Sequence, residues 1–137
     1  MGLYLCVFDG DEELEGVEVG PYADFNFFRE TVAALVEHGV AGSLCPVLNT
    51  HSDCDGEWTA QEASRLLAEL AQIADILQKH PPTPFNADWK HAAAKTFGIA
   101  PTSLLDCFFD IDGEPLVERL RGLAQVSVTS GQPILFQ

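Results

Sequence analysis

The chain has 137 residues, 47% of them hydrophobic, with seven Lys and Arg against twenty-one Asp and Glu and a formal net charge of −14. That length and apolar content suit one globular domain that buries its own core without disulfide or metal support. The charge argues against nucleic acid and anionic membrane as partners and favours a basic protein, which such a surface attracts and steers into encounter; acidity can equally serve solubility alone.

The opening "MGLYLCVFDG" lacks the basic n-region and small-residue cleavage site of a secretory signal, and no run of eighteen apolar residues follows anywhere in the chain, so a soluble cytoplasmic protein is expected. Cys6 stands where a myristoylation signal needs a hydroxyl residue. Leu3 to Phe8 is apolar at alternating and intervening positions, the pattern of a central strand covered on two sides. After the "DGDEE" turn, Leu14 to Val19 alternates Val17 and Val19 against Glu18 and forms the second arm of a hairpin. The first 28 residues hold seven acids (Asp9, Asp11, Glu12, Glu13, Glu15, Glu18 and Asp24) and no Lys or Arg.

Asp24 is the expected N-cap of a helix with Phe25, Phe28, Val32, Leu35 and Val36 inward, His38 in its last turn and Gly39 as its stop. "LCPVLNT" reads as an edge strand or an extended lead-in, a free edge that could support a homodimer. From Thr59 a long helix follows, with Ala63, Leu66, Leu67, Leu70, Ile73, Ala74 and Leu77 in one stripe, until "HPPTP" ends it. Asp88 to Phe97 reads as a helix capped by Asp88 and stopped by Gly98, with Trp89, Ala92, Ala93 and Phe97 inward. "TSLLDCFFD" is a short helix started by Thr102. The last helix runs from Pro115 at N1 to Gly131, with Leu116, Leu120, Leu123, Ala124 and Val128 on one face, and "PILFQ" is a strand beside the first. The expected architecture is α+β: one domain over 1–137, with a small, mostly antiparallel sheet of the N-terminal hairpin plus the C-terminal strand, covered by three to four helices.

Two related stretches, "HSDCDGEW" (51 to 58) and "DIDGE" (110 to 114), invite a chemical reading. In an EF-hand register with Gly56 at position 6, Asp53, Asp55, Thr59 and Glu62 occupy ligand positions 3, 5, 9 and 12. Position 1 is then His51, a poor ligand for a hard cation, and no helix leads in. The same residues are explained by a Thr59–Glu62 capping box behind a turn rich in Asx and Gly. In the second stretch the calcium register puts Phe108 at position 1 and Arg119 at position 12, so both stretches read as turns that open helices. His51, Ser52 and Asp53 have triad chemistry, but adjacent side chains point apart; Cys54 beside His51 could be an activated thiol. The four cysteines (6, 45, 54, 107) lack CxxC spacing and read as buried reduced thiols, and a zinc site would need Cys45, His51, Cys54 and Cys107 to converge. Trp58 is either a core staple under the long helix or an exposed anchor among carboxylates.

The blocks "MGLYLCVFD", "HSDCDGEW" and "DIDGEPLVERL" with "GQPILFQ" together resemble the bacterial immunity proteins grouped as immunity protein family seventy, from polymorphic toxin systems, over nearly the whole chain. The resemblance implies a cytoplasmic protein that binds and neutralises a cognate toxin. It carries over no catalytic residue and no cofactor. Basic toxin domains are often nucleases, whose cleft a carboxylate-rich surface can fill. The expected interface joins the acidic hairpin (Asp9, Asp11, Glu12, Glu13, Glu15, Glu18) to the 53–58 turn (Asp53, Asp55, Glu57, Trp58); taken one at a time, these acids suit a solvated surface better than an interface. A calcium-binding module on Asp53, Asp55, Thr59 and Glu62, and a small Cys/His enzyme on Cys54 and His51, are the alternatives.

Overall fold

A computed structural model describes residues 2–137, and two irregularities shape its N-terminal hairpin. β1 (Leu3–Asp9) pairs antiparallel with β2 (Glu12–Gly20). Leu3 faces Gly20 while Tyr4 faces Glu18, and Val7 faces Glu15 while Phe8 faces Glu13, so Val19 and Leu14 are extra residues on β2. Such bulges re-aim side chains that strict alternation would send to the other face. β4 (Ile134–Phe136) lies on the other side of β1, as expected of the C-terminal strand, and β3 (Glu57–Trp58) adds a short edge strand that the sequence reading did not anticipate. The order is β2-β1-β4-β3, with every pairing antiparallel.

The two faces of the sheet have different fates. Leu3, Leu5, Val7, Val17, Val19, Trp58, Ile134 and Phe136 point inward and join one core cluster. It includes Leu66, Leu70 and Ile73 of α3 (Ala60–Leu77) and Leu120, Leu123 and Ala124 of α5 (Leu116–Ser130). The opposite face carries Tyr4, Cys6, Phe8 and Leu135, all outside that cluster: Cys6 is buried by its neighbours, the other three only half so. The expectation that β1 is buried on two faces therefore holds for Cys6 alone.

α3 begins as its sequence dictates. Thr59 Oγ1 accepts from the Glu62 N–H at 3.1 Å and the Glu62 carboxylate accepts from the Thr59 N–H at 3.0 Å, a complete capping box. Other helix starts differ from the reading. α1 (Tyr22–Leu35) is preceded by Pro21, and Asp24 lies inside its first turn, buried, accepting from Asn86 Nδ2 at 2.7 Å and Trp89 Nε1 at 2.6 Å. His38 and Gly39 fall beyond the helix in left-handed backbone, φ 55° and 86°. α4 (Asp88–Phe97) has Ala87, not Asp88, at its cap and Gly98 as its stop. Its buried positions are Lys90 and Ala94; Ala92 is exposed, and the exposed Phe97 ring lies where a Cβ on Gly113 would strike it. Leu104–Cys107 is a 3-10 turn with Asp106 accepting from Thr102 Oγ1 at 2.9 Å. α5 stops at Gly131 as expected, but Pro115 is its N-cap and not its first helical residue, and Val128 faces solvent while Ser127 takes the buried position.

"PVLN" is not a strand. Pro46–Asn49 forms a single helical turn, α2, with proline at its start. Two buried carboxylates hold it: Glu37 accepts from the N–H groups of Leu44 (3.0 Å) and Cys45 (2.9 Å), and Glu69 from those of Val47 (3.1 Å) and Leu48 (3.0 Å). Satisfied from the side in this way, the donors have no need of a sheet, and "PVLN" offers no free strand edge of the kind that could support a homodimer.

Candidate interaction face

The outer face of the sheet follows directly from its register. One row runs Gly16, Cys6, Leu135, Glu57 across the four strands, and the next places Glu18 opposite Tyr4. Phe8 faces Glu13 one row further. At about 4.8 Å per strand the row spans roughly 14 Å from β2 to β3. The face is thus a strip of Tyr4, Phe8 and Leu135 over a floor of Cys6 and Gly16, framed by Glu13 and Glu18 on one edge and Glu57 on the other. None of the four strands contributes a Lys or Arg.

Gly16 is the close-approach point. The Tyr4 hydroxyl passes over it to donate to the Glu13 carboxylate, and a Cβ at position 16 would overlap both groups. This hydrogen bond, with burial and the charge of Glu13 adding to it, pushes the Tyr4 phenol up to about 12. On the edge itself, the Gly16 N–H donates to Glu15 Oε1 at 3.0 Å, and its carbonyl accepts from Arg119 Nη2 at 2.7 Å. The Glu18 carbonyl accepts from the Ile111 N–H at 3.1 Å. The β2 edge is thereby occupied at Gly16 and Glu18, which leaves the face, not the edge, as the open surface.

The acids singled out from sequence separate into distinct groups. Asp9, Asp11 and Glu12 are exposed at the hairpin end, and Glu13, Glu18 and Glu57 are exposed on the outer face. Glu15 is turned to the inner side by the Leu14 bulge and lies 3.9 Å from Arg119 Nη1. Asp55 is exposed in the 51–56 loop. Asp53 accepts from Asn26 Nδ2 at 2.7 Å, and chiefly that bond holds its carboxyl below the ordinary range, with Arg29 contributing. Trp58 requires a correction: it is 0% exposed, donates Nε1–H to the Val47 carbonyl at 2.9 Å and packs edge-on against Phe136 at 4.7 Å, so it is a core residue and no interface anchor.

The 51–56 loop is held from within. Arg29 donates through Nη1 to the carbonyls of His51 (2.6 Å) and Leu48 (3.2 Å), and through Nη2 to Asn26 Oδ1 (3.1 Å). Burial draws the Arg29 guanidinium below its ordinary value, against the pull of Asp53. The His51 ring stacks on Phe136 at 4.2 Å, with Nδ1 2.8 Å from the Ser52 carbonyl and Nε2 3.0 Å from that of Glu57. Both ring nitrogens face carbonyls, and the Cys54 thiol instead neighbours Ser52 Oγ at 3.6 Å, so no His–Cys catalytic pair is assembled. The Glu62 carboxylate is engaged in the cap and Asp53 in the Asn26 bond; among the described residues, no three or more His, Cys, Asp or Glu side chains come together where they could hold a metal ion.

The sequence reading missed Tyr4, Phe8 and Leu135. The signal was present, since positions 4, 6 and 8 of one strand share a face, but an apolar outer face and an apolar inner face look alike until a partner layer is known.

Among the described residues no helix is long and apolar enough to cross a membrane. A family model described as Immunity protein 70 matches residues 3–136. Neither a curated protein nor a solved structure matches the chain.

Proposed function

Because the chain belongs to the immunity protein 70 family, we propose that it acts in the cytoplasm as a single domain that binds and neutralises a basic cognate toxin through the outer face of its sheet. One observation carries this reading: a half-exposed strip of Tyr4, Phe8 and Leu135 lies between Glu13, Glu18 and Glu57, with no basic side chain on any strand. Aromatic and aliphatic surface supplies the burial that holds a complex, and flanking carboxylates draw in and orient a partner rich in Lys and Arg. Asp9, Asp11 and Glu12 at the hairpin end extend the same field. Inhibition in this reading is occlusion: the face covers the toxin's working surface, and no catalytic group of the immunity protein is required.

The test is co-expression with the product of the adjacent gene. Co-purification of the two chains is expected, with affinity that falls as salt rises. Glu13→Lys with Glu18→Lys is expected to slow association by about tenfold or more at low salt and to flatten the salt dependence. An unchanged salt slope in that double variant sinks the electrostatic part.

A further inference from the structure

A second surface lies on the other side of β2, between the Leu14 bulge and the outer side of α5. It is a groove of about 540 Å3, mainly apolar, lined by Leu14, Glu15, Gly122, Val126 and Thr129 among others, within the ~300–1,000 Å3 of typical binding clefts. The bulge creates one wall, because it leaves Leu14 and Glu15 lining the same groove. The floor contains Gly122, in the interior of a fifteen-residue helix. Glycine there weakens the helix relative to alanine, and its packing gives no reason for it: a Cβ at Gly122 would meet nothing within 4 Å. Position 122 has room for a side chain, and glycine leaves that room as part of the groove.

We propose that this groove seats an apolar side chain of the toxin, carried on a basic segment that also meets the hairpin acids; the identity of the partner rests on the toxin-binding reading above. The charge selects the occupant. Glu15 lines the groove and Asp11 and Glu12 are exposed at the adjoining hairpin end, in a chain of net charge −14, so a second copy brought to this wall would set like charges together, whereas a basic partner gains both burial and ion pairs. The acids then govern how fast the complex forms, and the groove how slowly it falls apart.

The experiment uses the full-length chain and the inactivated toxin polypeptide encoded by the adjacent gene, with rates from biolayer interferometry. Gly122→Phe, which fills the groove, and Leu14→Asp, at a position already 37% exposed, are expected to raise the dissociation rate at least about tenfold. Gly122→Ala, which narrows the groove by one methyl, is expected to raise the melting temperature and to raise the dissociation rate by less than Gly122→Phe does. Thermal melts of Gly122→Phe and Leu14→Asp confirm that each is folded. Dissociation rates equal to wild type in both folded variants overturn the groove assignment while leaving the toxin reading intact. No complex with the wild-type chain overturns the toxin reading and the groove with it. A wild-type homodimer that Gly122→Phe dissolves, measured by light scattering, assigns the groove to a second copy and likewise overturns the proposal.

Discussion

The Tyr4 hydroxyl donates to the Glu13 carboxylate directly above Gly16, so an exposed sheet face carries an ordered tyrosine–glutamate pair where two flexible side chains are usual. With the Tyr4 phenol pushed up to about 12, the folded state prefers the protonated form. Its stabilisation is present below the unfolded value near 10 and is lost as pH rises through 12. Glu13→Gln is expected to return Tyr4 to ordinary titration, read as phenolate absorbance against a Tyr4→Phe control. Gly16→Ala is expected to break the pair with little loss of fold, since the atoms that must move are the ends of side chains.

Glu37 clamps the backbone that leads into α2 and Glu69 the backbone of α2 itself, and the two carboxyls are shifted in opposite directions. Burial pushes Glu37 up, but hydrogen bonds from Cys45, Leu44 and Asn49 outweigh it and hold the carboxyl below its ordinary value. Burial raises Glu69 above it. Glu37→Ala leaves the Leu44 and Cys45 donors without their acceptor and is expected to cost about 2–4 kcal/mol in urea unfolding at neutral pH. The Glu37 contribution is present above the ordinary carboxylate value and lost as pH falls through its depressed one, so Glu37→Gln flattens the acid limb. Glu69 favours the native state as it takes up its proton, so Glu69→Gln steepens that limb.

These clamps also mark where the sequence stops being legible. Elements with local causes can be read in one dimension: the α3 stripe, the Thr59–Glu62 box, Gly98 and Gly131 as helix stops, and the hairpin with the C-terminal strand beside it. "LCPVLNT" reads as an edge strand or an extended lead-in, yet it turns into a helix because the backbone donors of Leu44, Cys45, Val47 and Leu48 are satisfied by Glu37 and Glu69, 7 to 22 positions away in the chain. Asp24 was misread as a cap because its true partners, Asn86 and Trp89, are 62 and 65 positions distant. The candidate face was half visible: its acids stand out in composition, while Tyr4, Phe8 and Leu135 acquire meaning only once α3 and α5 have taken the other side of the sheet.

Lys90 is 2% exposed, with Nζ 5.3 Å from the Phe108 ring centroid and 6.0 Å from those of Trp89 and Phe109. Burial lowers its ammonium below the ordinary lysine value, against the attraction of Asp24. The folded state therefore prefers the neutral amine, and the charge costs stability below the depressed value. Lys90→Met keeps the length and the packing and is expected to raise stability at pH 7 by about 1 kcal/mol. It also removes the gain that the wild type shows as pH rises toward the unfolded lysine value, seen by comparing melts at pH 7 and pH 10.

The capping box predicts the response of the 51–62 region to metal and mutation together. Thr59→Ala is expected to lower stability by about 1 kcal/mol, whether or not calcium is present. Millimolar calcium is expected to leave the wild-type melting temperature unchanged, because Glu62 and Asp53 are engaged elsewhere. A calcium-dependent rise that Glu62→Gln abolishes would restore the metal-loop reading.

The second acidic turn contains its own cation. Asp110 is wholly buried; its Oδ1 accepts from the N–H groups of Asp112 and Glu114 at 3.0 Å each, and its Oδ2 from Arg119 Nε at 3.1 Å. The same guanidinium donates to the Gly16 carbonyl at 2.7 Å, and so ties the turn that opens α5 to the edge of the hairpin. Arg119 stands at the position where a calcium loop has its last ligand, and it supplies from the chain the positive charge that such a loop takes from solution. Arg119→Met strands a buried carboxylate and is expected to cost about 3–5 kcal/mol. Arg119→Lys keeps the charge but not the fork that reaches Asp110 and Gly16 together, and is expected to fall between. Hydrogen exchange separates the two roles: both variants are expected to lose protection in β2 around Gly16, whereas loss confined to the 110–114 turn would show that Arg119 serves Asp110 alone.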